Sequence, residues 1–216
     1  MFAGRTEKAG AAESGGLCLG CKDSHARRRE AAKPDQYIYD PLDVRPAELE
    51  KEEVKNYITD ERYALNLFGD GVVYHSQVFT EATEISGFVK LVAWISMDVP
   101  DTDFSVELYE IMPDGKSIQL TGGQLRARYR DSATNAKLAK PGEINRYEFS
   151  GFTFFSRRVA KGSRLRLVLA SPNSIYLERT TTAVAWWRRN RVKMPRRRIS
   201  RCITIAIIPV SWSCHW

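Results

Sequence analysis

The sequence predicts an all-β domain, an antiparallel sandwich or barrel, with one short helix near its N-terminal end. Three observations carry this. From Gly69 onward, apolar residues recur at every second position rather than at helical spacing. The apolar runs are short, rich in Val, Ile and Phe, and separated by turn residues such as Pro113-Asp114-Gly115 and Pro141-Gly142. No helical pattern alternates with these runs, which excludes a doubly wound parallel sheet for this stretch.

Residues 1–34 are rich in Gly, Ala, Arg and Ser without a sustained period, and are expected to form a disordered leader. Tyr37-Ile38-Tyr39-Asp40-Pro41 opens an extended segment, because the residue before a proline is pushed out of the α region. The helix is expected from Pro46 to Leu67. Pro46 suits a first turn, and Glu48, Glu50, Glu52 and Glu53 crowd the half where the helix dipole favours them. Leu49, Val54, Tyr57 and Ile58 give a partial apolar stripe, and Thr59-Asp60-Glu61 predicts a ragged end.

Strands are expected within Gly71–Phe79 and Glu84–Ser96, then where Phe104, Val106 and Leu108 alternate with Ser105, Glu107 and Tyr109. Pro113-Asp114-Gly115 is a turn in which proline presets one backbone angle and glycine tolerates the strained one. Leu125, Ala127 and Tyr129 are expected on one face, with Arg126, Arg128 and Arg130 forming a solvated stripe on the other. Ile144–Phe149, Phe152–Phe155 and Ser163–Ala170 complete the body, the last following a Lys161-Gly162 turn. The body is therefore residues 35–178.

The net charge of +7 belongs to one end. Arg179 to Trp216 holds eight Arg and one Lys and no acid, which leaves 24 basic against 26 acidic side chains in the first 178 residues. The body is nearly neutral, and its charge points to no nucleic-acid partner. No run of 18 apolar residues predicts a membrane span, and the first 16 residues lack the apolar core of a signal peptide, so a cytoplasmic location is the expectation.

Catalytic and cofactor signatures are missing. There is no Gly-x-Ser-x-Gly nucleophile elbow and no phosphate-cradling glycine loop. His75 adjoins Ser76, but neighbours on a strand point to opposite faces and cannot form a dyad. Cys18 and Cys21 have the spacing of half a zinc site without a second pair, and Asp101, Asp103 and Asp114 offer too few oxygens for calcium. These three acids are expected to be loop and turn residues that bond their own backbone. No metal, cofactor or catalytic residue is expected.

Several segments together resemble the C-terminal domain of the X-Pro dipeptidyl-peptidase and cocaine-esterase hydrolases. They are Tyr37-Ile38-Tyr39-Asp40-Pro41-Leu42-Asp43, Asp98-Val99-Pro100-Asp101-Thr102-Asp103-Phe104, Pro113-Asp114-Gly115, Leu125-Arg126-Ala127-Arg128-Tyr129-Arg130, Lys140-Pro141-Gly142-Glu143 and Gly162-Ser163-Arg164-Leu165-Arg166-Leu167. The resemblance implies a jelly roll of the galactose-binding-like type, non-catalytic by itself. It implies that the jelly roll packs on an α/β-hydrolase domain, which carries the Ser-His-Asp machinery, and helps wall its active-site cleft. That hydrolase domain is the expected partner, and Tyr39, Asp40, Pro41, Asp101, Asp103, Phe104, Asp114, Gly115, Arg126, Arg128, Tyr129, Arg130, Pro141, Gly142 and Gly162 are expected to be structural or interface residues. The alternative is a free-standing carbohydrate- or ligand-binding sandwich. Trp94, the only tryptophan of the body, argues little for it, since its apolar run makes it an expected core residue.

The composition changes abruptly after Glu178. A basic, tryptophan-bearing arm for nucleic acid is one reading. The preferred one is a shifted reading frame: permitted codons in the alternative frame let the stretch after Arg201 read LYHDRNHPSVLELPL, a continuation resembling the end of this family's domain. In that frame Trp186-Trp187 forces a valine and His215-Trp216 a leucine, and both fit. Loss of the native last strand is expected to leave a sheet edge unpaired and to favour self-association. Ile203 to Val210 could add as a surrogate strand, with nothing to specify its register.

Overall fold

The computed structural model describes residues 34–40, 43, 45, 48 and 71–171, and the backbone of 201–207. Ten strands make up the described body: β1 (Asp35–Tyr39), β2 (Gly71–His75), β3 (Thr83–Gly87), β4 (Leu91–Met97), β5 (Asp103–Ile111), β6 (Ser117–Arg126), β7 (Ile144–Phe149), β8 (Phe155–Val159), β9 (Arg164–Ala170) and β10 (Arg201–Ile207). One four-stranded sheet runs β1-β10-β4-β7, a second runs β2-β9-β5-β6, and β3 and β8 form a two-stranded ribbon. Every pairing is antiparallel.

The pairings are nested. β5 pairs β6, β4 pairs β7, β3 pairs β8, β2 pairs β9 and β1 pairs β10. This is the pattern of one long antiparallel hairpin rolled into a sandwich, the jelly roll. Its tip is the Met112–Lys116 turn, in which Met112 donates its N–H to Lys116 O at 2.8 Å and accepts the Gly115 N–H on its own carbonyl at 2.9 Å.

Alternation sets the core, because successive strand residues face opposite sides. Leu91, Ala93, Ile95 and Met97 of β4 are buried, as are Phe104, Val106 and Leu108 of β5 and Leu165, Leu167 and Leu169 of β9. The two sheets meet there. The Phe104 ring lies edge-on to Tyr147 and Phe149 of the opposite sheet, with centroids 5.4 and 6.2 Å away. Ile85, Phe155 and Val159 of the ribbon join the same cluster. Tyr109, Ile111, Val168 and Ala170 form a second apolar cluster on the other face of the second sheet.

The expected helix lies outside the described residues apart from Glu48, which has helical backbone. The tail departs from expectation. β10 does not leave an unpaired edge but sits between β1 and β4, with Ile203 opposite both Tyr37 and Met97 and Ile205 opposite both Asp35 and Ile95. Its register is defined from both sides, which a strand added at an edge would lack. Trp94 also differs: it is half-buried and faces away from the core lined by Ala93 and Ile95. An apolar run does not tell the two faces of a strand apart when both are partly covered.

Candidate functional site

The residues singled out from the sequence gather at loops and strand ends. Asp101, almost fully buried, accepts the Arg128 backbone N–H at 2.9 Å and its Nε at 2.6 Å. Asp103 at the start of β5 accepts Arg126 Nε at 2.8 Å. Arg130 donates to the carbonyls of Ala127 and Lys137, and its side chain is only 3% exposed. The expected solvated arginine stripe is therefore absent. β6 ends at Arg126, Ala127–Tyr129 turn into a 3-10 helix, and all three guanidiniums fold back onto acids or carbonyls. Asp101 and Asp103 likewise hold these arginines. Asp114 behaves as expected, accepting the Lys116 N–H at 3.1 Å within its turn.

Gly115, Gly142 and Gly162 all have positive φ, of 88, 81 and 84°, at the turns that the sequence assigned to them. Tyr39 and Phe104 are core residues, Asp40 accepts the Asp43 N–H, Tyr129 sits in the 3-10 turn and Pro141 is exposed, while Pro41 lies outside the described residues. These side chains hold loops and packing together. They do not converge on a catalytic centre.

His75 and Ser76 part as strand geometry requires. Ser76 Oγ accepts the Leu165 N–H at 2.9 Å and donates to Gln77 O at 2.8 Å. His75 Nε2 accepts Arg166 Nε at 2.7 Å. Burial, with Arg166 and Arg164 alongside, holds the imidazole pKa below its usual value, so it stays neutral. With its Nε2 lone pair already accepting from Arg166, that nitrogen is not free to take a proton from a hydroxyl.

The sequence reading missed Glu107. It lies on the face of β5 away from the core, opposite Gly122 of β6. Ser105 Oγ donates to Oε1 at 2.9 Å and Gln119 Nε2 donates to Oε2. The ladder brings these groups together through a β-bulge. Tyr109 pairs Gln119 while Leu108 pairs Thr121, so Leu120 is the extra residue, and such a bulge re-aims the side chains beside it. Gly122 leaves room for the carboxylate, since a Cβ there would stand 2.0 Å from Glu107 Oε2 and push it aside. Beside it opens a polar groove of about 510 Å³ lined by Gln119, Thr121, Gly123, Gln124, Gly151 and Thr153. The Phe152 ring packs under Gly123, and Thr121 Oγ1 bonds Thr153 O at 2.9 Å, fixing the far wall. Burial pushes the Glu107 carboxyl pKa upward, against the two hydrogen bonds that favour its charged form. Strand alternation alone placed Glu107 beside Ser105 and Tyr109, but the bulge, the glycine and the groove are invisible to it.

Known proteins share this architecture. The chain is 34% identical over 113 residues to the cocaine esterase of Rhodococcus sp. (strain MB1 Bresler), an overlap of 51% of this chain and 20% of that enzyme. An α-amino acid ester hydrolase superposes with a TM-score of 0.61 at 15% identity, covering 82% of this chain and 32% of its own. An aminopeptidase from a marine sediment Thaumarchaeota archaeon gives 0.59 at 17%, covering 81% and 31%. The chain thus spans about a fifth of the curated relative and a third of these structures. Residues 18–184 match the X-Pro dipeptidyl-peptidase C-terminal non-catalytic domain, and it is to this family of domains that the chain belongs.

Proposed function

We propose that this chain is the accessory domain of a serine hydrolase of the X-Pro dipeptidyl-peptidase and cocaine-esterase type, packing on an α/β-hydrolase domain and helping to shape its active-site cleft. The observation that carries this reading is the match of residues 18–184 to a domain that is non-catalytic within larger hydrolases. The side-chain chemistry supports it, because Asp101 and Asp103 are committed to structural pairs with Arg128 and Arg126, and His75 is capped by Arg166. A surface feature supports the packing. Phe88 and Phe154, 70% and 58% exposed, stack edge-on at 5.4 Å beside the β3–β8 ribbon. Such a pair buries large area at low entropic cost when another domain covers it.

The purified chain is expected to release nothing above buffer from X-Pro amides or short esters. Mixed with the hydrolase domain of the cocaine-esterase relative, it is expected to form a complex that elutes as one species. Replacing Phe88 and Phe154 by serine should weaken that complex about tenfold or more, as loss of anchoring aromatics does. Turnover by the chain alone, blocked by a serine-directed inhibitor, would refute the reading.

A further inference from the structure

We propose that the groove above Gly122 and Gly123 is a socket for one basic side chain, a Lys ammonium or Arg guanidinium presented by the companion hydrolase domain, with Glu107 as its anion. The identity of the donor rests on the accessory-domain reading; the socket does not.

The geometry makes the case. An ionised carboxylate has about four acceptor positions, and Glu107 uses one from Ser105 and one from Gln119, so its two oxygens have capacity to spare. Among the described residues no cation lies within ion-pair distance of it, whereas Asp101, Asp103, Glu110 and Glu148 each hold an Arg or Lys. A half-buried carboxylate without a cation costs stability, and the fold keeps it there deliberately: the Leu120 bulge turns Gln119 onto it and Gly122 makes room for it. The groove beside it carries amide and hydroxyl groups of Gln119, Gln124 and Thr153, and Gly123 and Gly151 add open backbone. One negative charge among neutral amide and hydroxyl groups, whose oxygens can accept, fits a cation with several N–H donors better than an anion or an apolar group.

Ethylguanidinium chloride is the probe, with neutral ethylurea as its near-isostere, and the full chain is titrated with each while the amide resonances of Gly122 and Gly123 are followed. Ethylguanidinium should shift them saturably, with a Kd of about 1–10 mM, as a single small contact allows. Ethylurea should not. Glu107→Gln should weaken the response at least tenfold with spectral dispersion retained, and Glu107→Asp, which withdraws the carboxylate by one methylene, should weaken it as well. Equal responses in wild type and Glu107→Gln, or saturation by ethylurea or by a neutral disaccharide such as maltose, would overturn the socket. A second arm adds the hydrolase domain of the cocaine-esterase relative. Tenfold weaker association of Glu107→Gln supports that domain as the donor, and equal association of the two chains overturns it. If the wild-type chain does not associate at all while ethylguanidinium still binds, the accessory-domain reading fails and the socket stands.

Discussion

Two carboxylates three residues apart on β5 respond to pH in opposite directions. Glu110 points inward and is fully buried, and burial alone would raise its pKa. The Ala160 N–H at 3.0 Å and Arg157 Nε at 2.7 Å outweigh that and hold it below the ordinary value of 4.5. Its folded state prefers the charged form, so its stabilisation is present above pH 4.5 and is lost as pH falls through the lowered value. Glu107 points outward and is pushed above 4.5 by burial, so the folded state prefers its neutral form. Its contribution is most favourable below pH 4.5 and is lost as pH rises through the raised value. Glu110→Gln should therefore cost about 3 kcal/mol at pH 7, because it strands Arg157 beside a neutral amide. Glu107→Gln should raise the melting temperature at pH 7 by a few degrees, on the order of 1 kcal/mol. Thermal melts of the two variants from pH 4 to 8 check both signs, and a Glu107→Gln chain less stable than wild type at pH 7 would contradict the unpaired state of that acid. The sequence showed that Phe104, Val106 and Leu108 share a face. It could not show that an arginine 47 positions onward would reach Glu110.

Turns were the most legible elements, and the arginine segment the least. Pro113-Asp114-Gly115, Pro141-Gly142 and Lys161-Gly162 announce themselves because only particular residues relieve their backbone strain. The alternation Leu125–Arg130 reads as a strand, yet Asp101 and Asp103 draw Arg128 and Arg126 inward and the backbone turns at Ala127. Tertiary ion pairs overrode a local period. The turns also differ in how they are held. Gly115 and Gly142 face open space, whereas a Cβ on Gly162 would meet Pro113 Cγ at 3.0 Å, where the β8–β9 turn touches the β5–β6 turn. Gly115→Ala and Gly142→Ala should each cost about 1 kcal/mol for an alanine held in the left-handed region. Gly162→Ala should cost roughly twice that, since relief of the strain would push the two turns apart. Urea denaturation at constant m-value separates the three, and equal losses at all of them would deny the contact with Pro113.

At the scale of the molecule, nested pairing makes β10 the strand that closes the mouth of the rolled hairpin. The β5–β6 tip joins near neighbours, while β1 and β10 meet across more than 160 residues. Sequence patterning identified the body strands because each writes its own period. Nothing in a period of two says which strand a distant tail will lie beside, and so β10 was foreseen only as a surrogate without register. Its position has a consequence. Among the described residues, the ladder partner of β1 in its sheet is β10, because the order is β1-β10-β4-β7, and side-chain bonds from Tyr37 to Ser171 and from Tyr74 to Asp35 add to it. Ile205 is paired with Asp35 on one side and Ile95 on the other, so a proline there removes a ladder N–H from an interior strand. Ile205→Pro should cost about 3 kcal/mol. Hydrogen exchange should show where. Amides of Asp35–Tyr39 should lose protection first, those of β4 facing β10 next, and those of β5 and β9 least, because the second sheet has no partner in β10. Uniform loss across both sheets would mean that the two layers unfold as one unit. Unchanged protection of β1 would mean that the tail does not hold it in place.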